Sequence, residues 1–397
     1  MSNWETDNVV QRLREYLKIP SVHPDINYDE CVRFIKKQAD LLQLPVVVYE
    51  LVPKKPVVVI TWKGQQPLLP AILLNSHMDV VPVYEEFWSH PPFEAQISKD
   101  GYIYARGIQD MKGVGMIHLE AVRRLKDAGI TLKRTVHISF VPDEEIGGIE
   151  GMKPFSESKE FKALNIGFAL DESVVSPKEN EIIAYNGERT LRQIKVICKG
   201  EPGHGSLLFP GTAGEKFHCI LNKFMRFREE EVKKLKSGVK IGEVTTVNLT
   251  KVEGGVQVNV LPERLSAYFD IRIAPQVDHD EFEEMIKSWC TEAGEGVSFE
   301  YLVKNPQVSS TRTDKNLVFW TFLEQTVKDM GLQLNLQICA GATDARYVRS
   351  QGIPAISFTP IINTPMLLHA HDERVHIGDY KRGIDIMVKV LQAVANV

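Results

Sequence analysis

Amphipathic helical segments alternate with short apolar runs along most of this 397-residue chain, and this alternation limits its possible folds most strongly. The first helical pattern covers residues 7–17 and the second covers residues 28–44. Apolar strands that are separated by helices are typical of a sheet that is buried on both faces. We therefore expect an α/β fold in which helices flank a mixed central sheet.

The predicted elements before residue 187 follow this alternation closely. The predicted strands are 46–52, 57–62, 70–75, 135–141 and 166–170, and the further helices are 113–125 and 151–164. The alternation returns after residue 306, with a helix at 316–330, a strand at 355–359 and a last helix at 380–395. These two stretches, 1–186 and 306–397, are predicted to form one catalytic domain.

A different pattern fills the stretch between them. Its predicted order is strand 191–199, helix 214–235, strands 243–251 and 258–273, helix 280–293 and strand 297–303. The order β-α-β-β-α-β is that of the ferredoxin-like unit. We therefore predict that residues 187–305 form an inserted domain, which interrupts the larger one.

Composition excludes several classes of function. Lys and Arg total 47 against 52 Asp and Glu, so the net charge of −5 does not favour nucleic acid as a partner. The five cysteines form no CxxC pair, which argues against a disulfide framework and against a cysteine zinc site. The acidic, amphipathic N-terminal segment does not resemble a signal peptide, and no apolar run approaches the length of a membrane span. We expect a soluble cytoplasmic protein.

Acidic or histidine residues follow apolar strands at five places, and ligands of open α/β sheets bind where strands end. The five fragments are Leu74-Asn75-Ser76-His77-Met78-Asp79, Arg106-Gly107-Ile108-Gln109-Asp110-Met111-Lys112, Val141-Pro142-Asp143-Glu144-Glu145, Ala169-Leu170-Asp171-Glu172 and Leu367-Leu368-His369-Ala370-His371-Asp372. Each fragment alone is better explained as an acidic turn or a surface loop. Together they supply the nitrogen and oxygen donors that a pair of zinc ions uses.

Three of these fragments resemble the ordered signatures of the M20 family of dinuclear zinc hydrolases and, within it, the aminoacylase-1 group. They are His77-Met78-Asp79-Val80-Val81-Pro82, Gly107-Ile108-Gln109-Asp110-Met111-Lys112 and Asp143-Glu144-Glu145-Ile146-Gly147-Gly148. Leu170-Asp171-Glu172 and His369-Ala370-His371-Asp372-Glu373-Arg374 match the remaining ligand positions. The resemblance extends over nearly the whole chain.

The resemblance implies two Zn²⁺ ions per subunit with Asp110 as the bridging carboxylate. His77 and Glu172 would complete one site, and Glu145 and His371 the other. His369 lies two residues before His371, and the residues alone do not distinguish the two; only the resemblance favours His371. Three carboxylates and two neutral imidazoles would leave the pair of ions with a net positive charge, so that a bound water ionises near neutral pH.

Two further residues complete the predicted catalytic set. Asp79 lies two residues after His77, so both side chains point to the same side of an extended strand, and Asp79 can hold the His77 ring. Glu144 precedes a ligand and is the candidate general base for the water between the metals. A similar role for Asp171, which precedes Glu172, is the alternative, but the sequence favours a surface acid at this position.

The inserted domain supplies a second group through the same resemblance. His204, in Gly203-His204-Gly205, corresponds to a histidine that reaches the active site of the neighbouring subunit and stabilises the oxyanion. Asn259, Arg272 and Arg346 correspond to positions that bind the substrate amide and carboxylate. For either arginine alone, an ordinary surface salt bridge is the better interpretation. The resemblance therefore implies a homodimer, with the insert as its dimerisation or lid domain.

Zinc-dependent hydrolysis of N-acyl-L-amino acids to a carboxylate and a free L-amino acid is the leading hypothesis. A dipeptidase or carboxypeptidase of the same architecture is the alternative, because only the substrate pocket would differ. A non-catalytic scaffold with this fold is a third hypothesis, against which the presence of Glu144 and all five ligand positions argues. The chain contains no HExxH, GxSxG or Walker A motif.

Overall fold

The computed structural model describes residues 4–397, which form two compact units. The first unit contains the chain up to Asn186, Thr311–Gln337 and Thr343–Val397, and the second contains Gly187–Ser310 and Ile338–Ala342. The predicted insert was 187–305, and the short segment that the second unit takes from residues 338–342 was not predicted. Residues 1–3, with which the predicted catalytic domain begins, lie outside the described residues.

Helices and strands alternate along the first unit, and its elements lie on either side of those of the second unit in the sequence. The strands of the described chain are β1 (Val46–Val52), β2 (Lys55–Trp62), β3 (Ala71–His77), β4 (Gln96–Ile97), β5 (Tyr102–Tyr104), β6 (Val136–Val141), β7 (Ile166–Asp171), β8 (Glu181–Glu188), β9 (Thr190–Lys199), β10 (Gly203–His204), β11 (Thr246–Gly254), β12 (Val260–Leu261), β13 (Arg264–Ile273), β14 (Val297–Lys304), β15 (Gln333–Cys339), β16 (Ala355–Phe358) and β17 (Arg374–His376). The α-helices are α1 (Asn8–Leu17), α2 (Asp29–Leu42), α3 (Lys112–Asp127), α4 (Met152–Glu157), α5 (Lys159–Ala163), α6 (Ala213–Lys236), α7 (His279–Ala293), α8 (Val318–Asp329), α9 (Ala345–Ser350) and α10 (Ile377–Ala395).

An eight-stranded sheet runs through the first unit in the order β1-β2-β6-β3-β7-β16-β8-β15. Strand β3 pairs in parallel with both β6 and β7, and β16 pairs in parallel with β7. Strands β1 and β2 are antiparallel to each other, and β2 is antiparallel to β6. The prediction of a mixed central sheet is confirmed.

Alternate side chains of these strands enter two separate cores, because successive residues of a strand point to opposite faces. Val58, Ile60 and Leu74 pack in a core to which α1, α2, α3, α8 and α10 contribute. Val57, Val59 and Leu73 pack in a core to which α4, α5 and α9 contribute. The sheet is therefore covered by helices on both faces, as its continuous apolar strands predict.

The second unit contains a four-stranded antiparallel sheet in the order β11-β13-β9-β14. Helices α6 and α7 pack on this sheet through Phe224 and Phe282, which share a core with Val196 and Phe269. Helix α6 begins with a capping box between Thr212 and Glu215. The element order is the predicted ferredoxin-like order, and a separate two-stranded ladder joins β10 to β12.

Several boundaries differ from the prediction. The helix expected at 151–164 is two helices, because the Ser158 hydroxyl caps a new helix by accepting a hydrogen bond from the amide of Phe161. The strand expected at 258–273 is divided into β12 and β13, and strands β8 and β15 were not predicted. Within residues 4–397, the helices are too short or too polar to cross a lipid bilayer.

Candidate metal centre

Three parallel strands place their carboxyl ends side by side in the first unit. Strand β3 ends at His77, strand β6 leads into the turn that contains Glu144 and Glu145, and β7 ends one residue before Glu172. Because β6, β3 and β7 are neighbours in the sheet, these four side chains start from one edge. This is the edge at which ligands bind in open α/β sheets.

Asp110 lies between two imidazoles at this edge. Its Oδ1 is 3.0 Å from Nε2 of His77, and its Oδ2 is 3.1 Å from Nε2 of His369. His77 Nε2 is also 3.4 Å from Oε1 of Glu172, and His369 Nε2 is 3.1 Å from Oε2 of Glu145. Asp110 therefore belongs to two groups, His77–Asp110–Glu172 and Asp110–Glu145–His369, and the ligand atoms of each group lie within 4.8 Å of one another.

The second group corrects the histidine that was expected from the sequence. His371 is exposed, and its ring packs on Phe87 with 5.3 Å between the ring centroids. His369 adopts a left-handed backbone conformation with φ 59°, and its side chain meets Asp110 and Glu145. His369 and His371 are of the same type and lie two positions apart in an irregular loop. The sequence therefore contains no signal that shows which of them faces the carboxylates. We therefore replace His371 by His369 in the proposed ligand set.

The charges of this cluster fit divalent cations. Burial, and then the charge of Asp110, raise the pKa of Glu172 well above its ordinary value. The pKa of Glu145 is raised for the same two reasons. Oε1 of Glu145 is buried and has no hydrogen-bond partner among residues 4–397. Nitrogen and oxygen donors with an excess of buried negative charge form a donor set that suits a pair of zinc ions.

Asp79 connects the two sides of the centre. Its carbonyl oxygen lies 2.9 Å from Nδ1 of His77, and this contact leaves Nε2 of His77 available to a cation. Its carboxylate accepts hydrogen bonds from the amides of Glu144 and Glu145 at 3.2 and 3.0 Å. Burial alone would raise the pKa of Asp79, but hydrogen bonds with His23 and His77 outweigh it and hold the pKa below its ordinary value.

The turn that carries Glu144 and Glu145 has a defined backbone path. Glu144–Ile146 form one turn of 3₁₀ helix, which Asp143 and Gly147 flank in left-handed conformations with φ 62° and 102°. The hydroxyl of Tyr28 donates to Oδ1 of Asp143 at 2.6 Å. Burial, followed by the charge of Glu172, raises the pKa of Glu144 well above its ordinary value. A carboxylate with a raised pKa accepts protons more strongly than an exposed one.

Glu373 and Gln109 hold the loops of Asp110 and His369 together, although neither was predicted from the sequence to have a role. Oε1 of Glu373 accepts hydrogen bonds from the amides of Gln109 and Asp110 at 2.6 and 3.3 Å. The side-chain amide of Gln109 donates to the carbonyl oxygens of Pro365 and Arg374. Burial raises the pKa of Glu373 to about 7. The only sequence signal was the position of Glu373 within the last motif.

The expectation of a surface acid at position 171 is wrong. Asp171 is buried, with 2% of its surface exposed. It accepts from Nδ2 of Asn75 at 3.0 Å and from the amide of Ala345 at 2.7 Å. Asp171 thereby fixes the end of β7, from which Glu172 projects, to neighbouring elements.

The predicted residues of the second unit form a local arrangement of their own. His204 pairs with Val260 in the β10–β12 ladder, and the amide of Gly205 donates to the carbonyl oxygen of Asn259 at 2.8 Å. The amide of Ser206 donates to Nδ1 of the exposed His204, so a neutral His204 ring carries its hydrogen on Nε2.

The two predicted arginines have different surroundings. Arg272 lies half-exposed on β13, and its guanidinium pairs with Asp270 at 2.9 and 3.4 Å. Arg346 belongs to the first unit, and its Nη2 donates to the carbonyl oxygen of Gly147 at 2.8 Å. Arg346 therefore contacts the segment that follows Glu145, whereas Arg272 forms the acid–base pair expected of an arginine on a protein surface.

Comparison with known proteins identifies the family. The sequence profile of peptidase family M20/M25/M40 matches residues 73–393, which include every residue of both groups. The chain belongs to this family. Aminoacylase-1 from Sus scrofa is 49% identical to this M20 protein over 389 residues, which are 98% of this chain and 95% of that protein. Aminoacylase-1 from Homo sapiens is 48% identical over 392 residues, with the same coverage.

More distant M20 relatives extend the agreement. Aminoacylase-1 from Dictyostelium discoideum is 39% identical over 410 residues and covers 100% of both chains. An M20 metallo-carboxypeptidase, Sso-CP2 from Sulfolobus solfataricus, matches with a TM-score of 0.73 and 21% identity over 98% of this chain and 99% of that one. Aminopeptidase PepT from Bacillus cereus matches with a TM-score of 0.71 and 19% identity over 99% of both chains. The two structures share the fold with this M20 protein.

Proposed function

We propose that this M20 protein is an aminoacylase, a metal-dependent amidohydrolase that converts N-acyl-L-amino acids to a carboxylate and a free L-amino acid. The observation that carries the proposal is the pair of ligand groups that share Asp110. Its substrate class follows from relatives named Aminoacylase-1, which are 39–49% identical over nearly the whole chain.

The proposed cofactor is two Zn²⁺ ions per subunit. His77, Asp110 and Glu172 would hold one ion, and Asp110, Glu145 and His369 the other. When bound, the ions would polarise the acyl carbonyl and lower the pKa of an attacking water. Neutral imidazoles and carboxylates are suitable zinc ligands, and one carboxylate can separate and screen two cations.

Glu144 is the proposed general base and proton carrier. Its backbone amide donates to Asp79, as does that of the proposed ligand Glu145, so the turn that carries its side chain is held beside the proposed centre. In this position it accepts a proton from the attacking water and then delivers it to the amine that leaves. Asp79 acts through the groups that it holds, because it orients His77 and both glutamates.

The second unit is proposed to complete the site in a homodimer. The partner subunit's His204 would donate a hydrogen bond from Nε2 to the oxyanion, and Asn259, Arg272 and Arg346 would bind the substrate amide and carboxylate. Leu208, Val256 and Val258 are fully or almost fully exposed in this unit, which supports a covering partner surface. We also propose a cytoplasmic location, which the free state of the five cysteines supports.

A substrate comparison tests the proposed activity. Purified protein loaded with zinc is assayed with N-acetyl-L-methionine and with the dipeptides L-methionyl-L-alanine and L-alanyl-L-methionine. Faster hydrolysis of the N-acetyl compound, measured as kcat/KM, supports an aminoacylase. Faster hydrolysis of either dipeptide instead supports the alternative of a peptidase with the same architecture.

A further inference from the structure

His23 contacts Asp79 beside the proposed centre, although no functional role was predicted for it from the sequence. Its Nε2 is 2.9 Å from Oδ2 of Asp79 and 4.0 Å from Oδ1 of Asp143. Both carboxylates are fully buried, while the His23 side chain is 9% exposed. One imidazole is therefore in contact with one buried acid and near a second, and these acids flank the turn of Glu144 and Glu145.

The backbone of residues 21–23 is fastened to the segment that contains Asp79. Val22 and Val80 form a parallel bridge, and the amide of Val80 donates to the carbonyl oxygen of Ser21 at 2.8 Å. The hydroxyl of Ser21 donates to the carbonyl oxygen of Met78 at 2.5 Å. These bonds on the neighbouring backbone give the His23 ring a defined place against Asp79.

The contact with His23 matters because of what else Asp79 holds. Oδ1 of Asp79 accepts from the amide of Glu144, and Oδ2 accepts from the amide of Glu145 as well as from His23. An ionised carboxylate has no hydrogen to donate, so His23 must be the donor. Without this donor, the buried carboxylate of Asp79 would lose one of the hydrogen bonds that compensate its charge and orient it, whereas Asp143 would keep its ion pair with Lys55.

We propose that His23 is a positioning residue, which orients Asp79 and thereby holds Glu144 and Glu145 in place for catalysis. Its Nε2–H donates to Oδ2 of Asp79, and Asp79 transmits this constraint to the amides of both glutamates. His23 itself touches neither substrate nor metal in this role. The inference rests on the proposed function, which it deepens by extending the supporting structure of the centre to residue 23.

Three substitutions at this position test the inference. In His23→Gln, the side-chain amide reaches the place of Nε2 and can still donate to Asp79. In His23→Asn, the amide reaches only the place of Nδ1, and His23→Ala removes the donor entirely. His218→Ala is the control, because His218 is exposed on helix α6.

Two measurements are made on each variant. With N-acetyl-L-methionine, His23→Ala and His23→Asn are expected to lower kcat by about tenfold to hundredfold with little change in KM, because misplaced catalytic groups lower the rate. Hydrogen exchange by mass spectrometry, on metal-free and zinc-loaded protein, is expected to show faster exchange in the peptide 141–147. His23→Gln and His218→Ala are expected to match the parent in both measurements.

Each contrary result has a distinct meaning. Unchanged kcat and unchanged exchange in a folded His23→Ala protein would overturn the inference. Equal impairment of His23→Gln and His23→Asn would also overturn it, since only the former restores a donor at Nε2. If His23→Ala does not fold, the comparison of Gln with Asn still decides. Absence of aminoacylase activity in the parent would refute the proposed function. Hydrogen exchange in the peptide 141–147 of the metal-free protein would still test whether His23 stabilises the turn of Glu144 and Glu145.

Discussion

Arg106 and Glu373 form a buried ion pair in which Nη1 of Arg106 lies 2.8 Å from Oε2 of Glu373. The two side chains are 2% and 0% exposed. Nη2 of Arg106 also donates to the carbonyl oxygen of His369 at 3.3 Å. The pair therefore joins the loop that leads to Asp110 to the loop that carries His369.

Replacing Glu373 by Ala should destabilise the protein strongly. The change leaves the guanidinium of Arg106 buried without its acid and removes the acceptor of three backbone amides, those of Gly107, Gln109 and Asp110. We expect the free energy of unfolding to fall by about 3–5 kcal/mol. Urea unfolding of the metal-free protein measures this change without a contribution from bound ions. Glu30→Ala, which breaks an exposed pair with Arg33, is the control and should cost less than about 1 kcal/mol; a similar loss in both variants would contradict the buried role.

The two histidines of the last motif should differ in metal binding. Because His369 meets Asp110 and Glu145, His369→Ala is expected to lower the zinc content from two ions to about one per subunit and to abolish most activity. His371→Ala is the matched control and should retain both ions. Elemental analysis by mass spectrometry after dialysis measures the content. The reverse result would restore His371 as the ligand.

Glu144→Gln should separate catalysis from metal binding. The amide keeps the shape of the side chain but cannot accept the proton, so kcat is expected to fall by about 10²–10⁴-fold. Zinc content should stay at the parent value, because Glu144 is absent from both ligand groups. Near-parent turnover by this variant would refute the assignment of Glu144 as the general base.

Hybrid dimers should test the shared site. A His204→Ala subunit keeps its Glu144, and a Glu144→Gln subunit supplies an intact His204 to its partner. Each hybrid therefore retains one complete site, and mixed subunits should recover activity that neither homodimer has. Differently tagged subunits allow the hybrid to be isolated before the assay. Purified hybrids without activity would argue against a histidine supplied by the partner.

Stability in acid should depend on His118. This residue is fully buried on α3, and burial lowers the pKa of its imidazole from 6.5 to about 3. As pH falls below 6.5, the unfolded chain gains a proton at this position that the folded protein does not. Stability is therefore lost between pH 6.5 and about 3, at about 1.4 kcal/mol per pH unit.

The variant His118→Leu should lose less stability on acidification than the parent. Thermal unfolding of the metal-free proteins at pH 7 and pH 5 gives the comparison, in which a difference of about 2 kcal/mol is expected. His218→Leu, which makes the same replacement at an exposed position of helix α6, is the control. A parent-like loss of stability in His118→Leu would contradict the assignment of a buried neutral ring.

The order of the elements could be predicted because periodicity and burial agree in them. Strand β6 is buried throughout, and α6 repeats its apolar residues at helical spacing. Strand β15 was not predicted, since its side chains are half-exposed and its position at the sheet edge depends on tertiary pairing. The split into α4 and α5 depends on one hydroxyl cap, which a hydrophobic pattern does not contain.

The first proposed ligand group could be predicted because two of its members, His77 and Glu172, stand at the ends of strands. The second was predicted with the wrong histidine, since the backbone conformation of the loop decides between His369 and His371. His23 contacts Asp79, and Glu373 contacts the backbone of residues 109–110, across long separations in the sequence. Contacts of this kind follow from the folded chain and leave no local pattern.

The single carboxylate of Asp110 has an oxygen on each side of the centre, at 3.0 Å from His77 and 3.1 Å from His369. Two ions that shared it would not bind independently. The first ion to bind would orient the common carboxylate for the second, while the mutual repulsion of the cations would oppose the second binding event. Stepwise titration with a chelator would therefore yield two affinities that describe the coupled pair, and neither value would belong to one position alone.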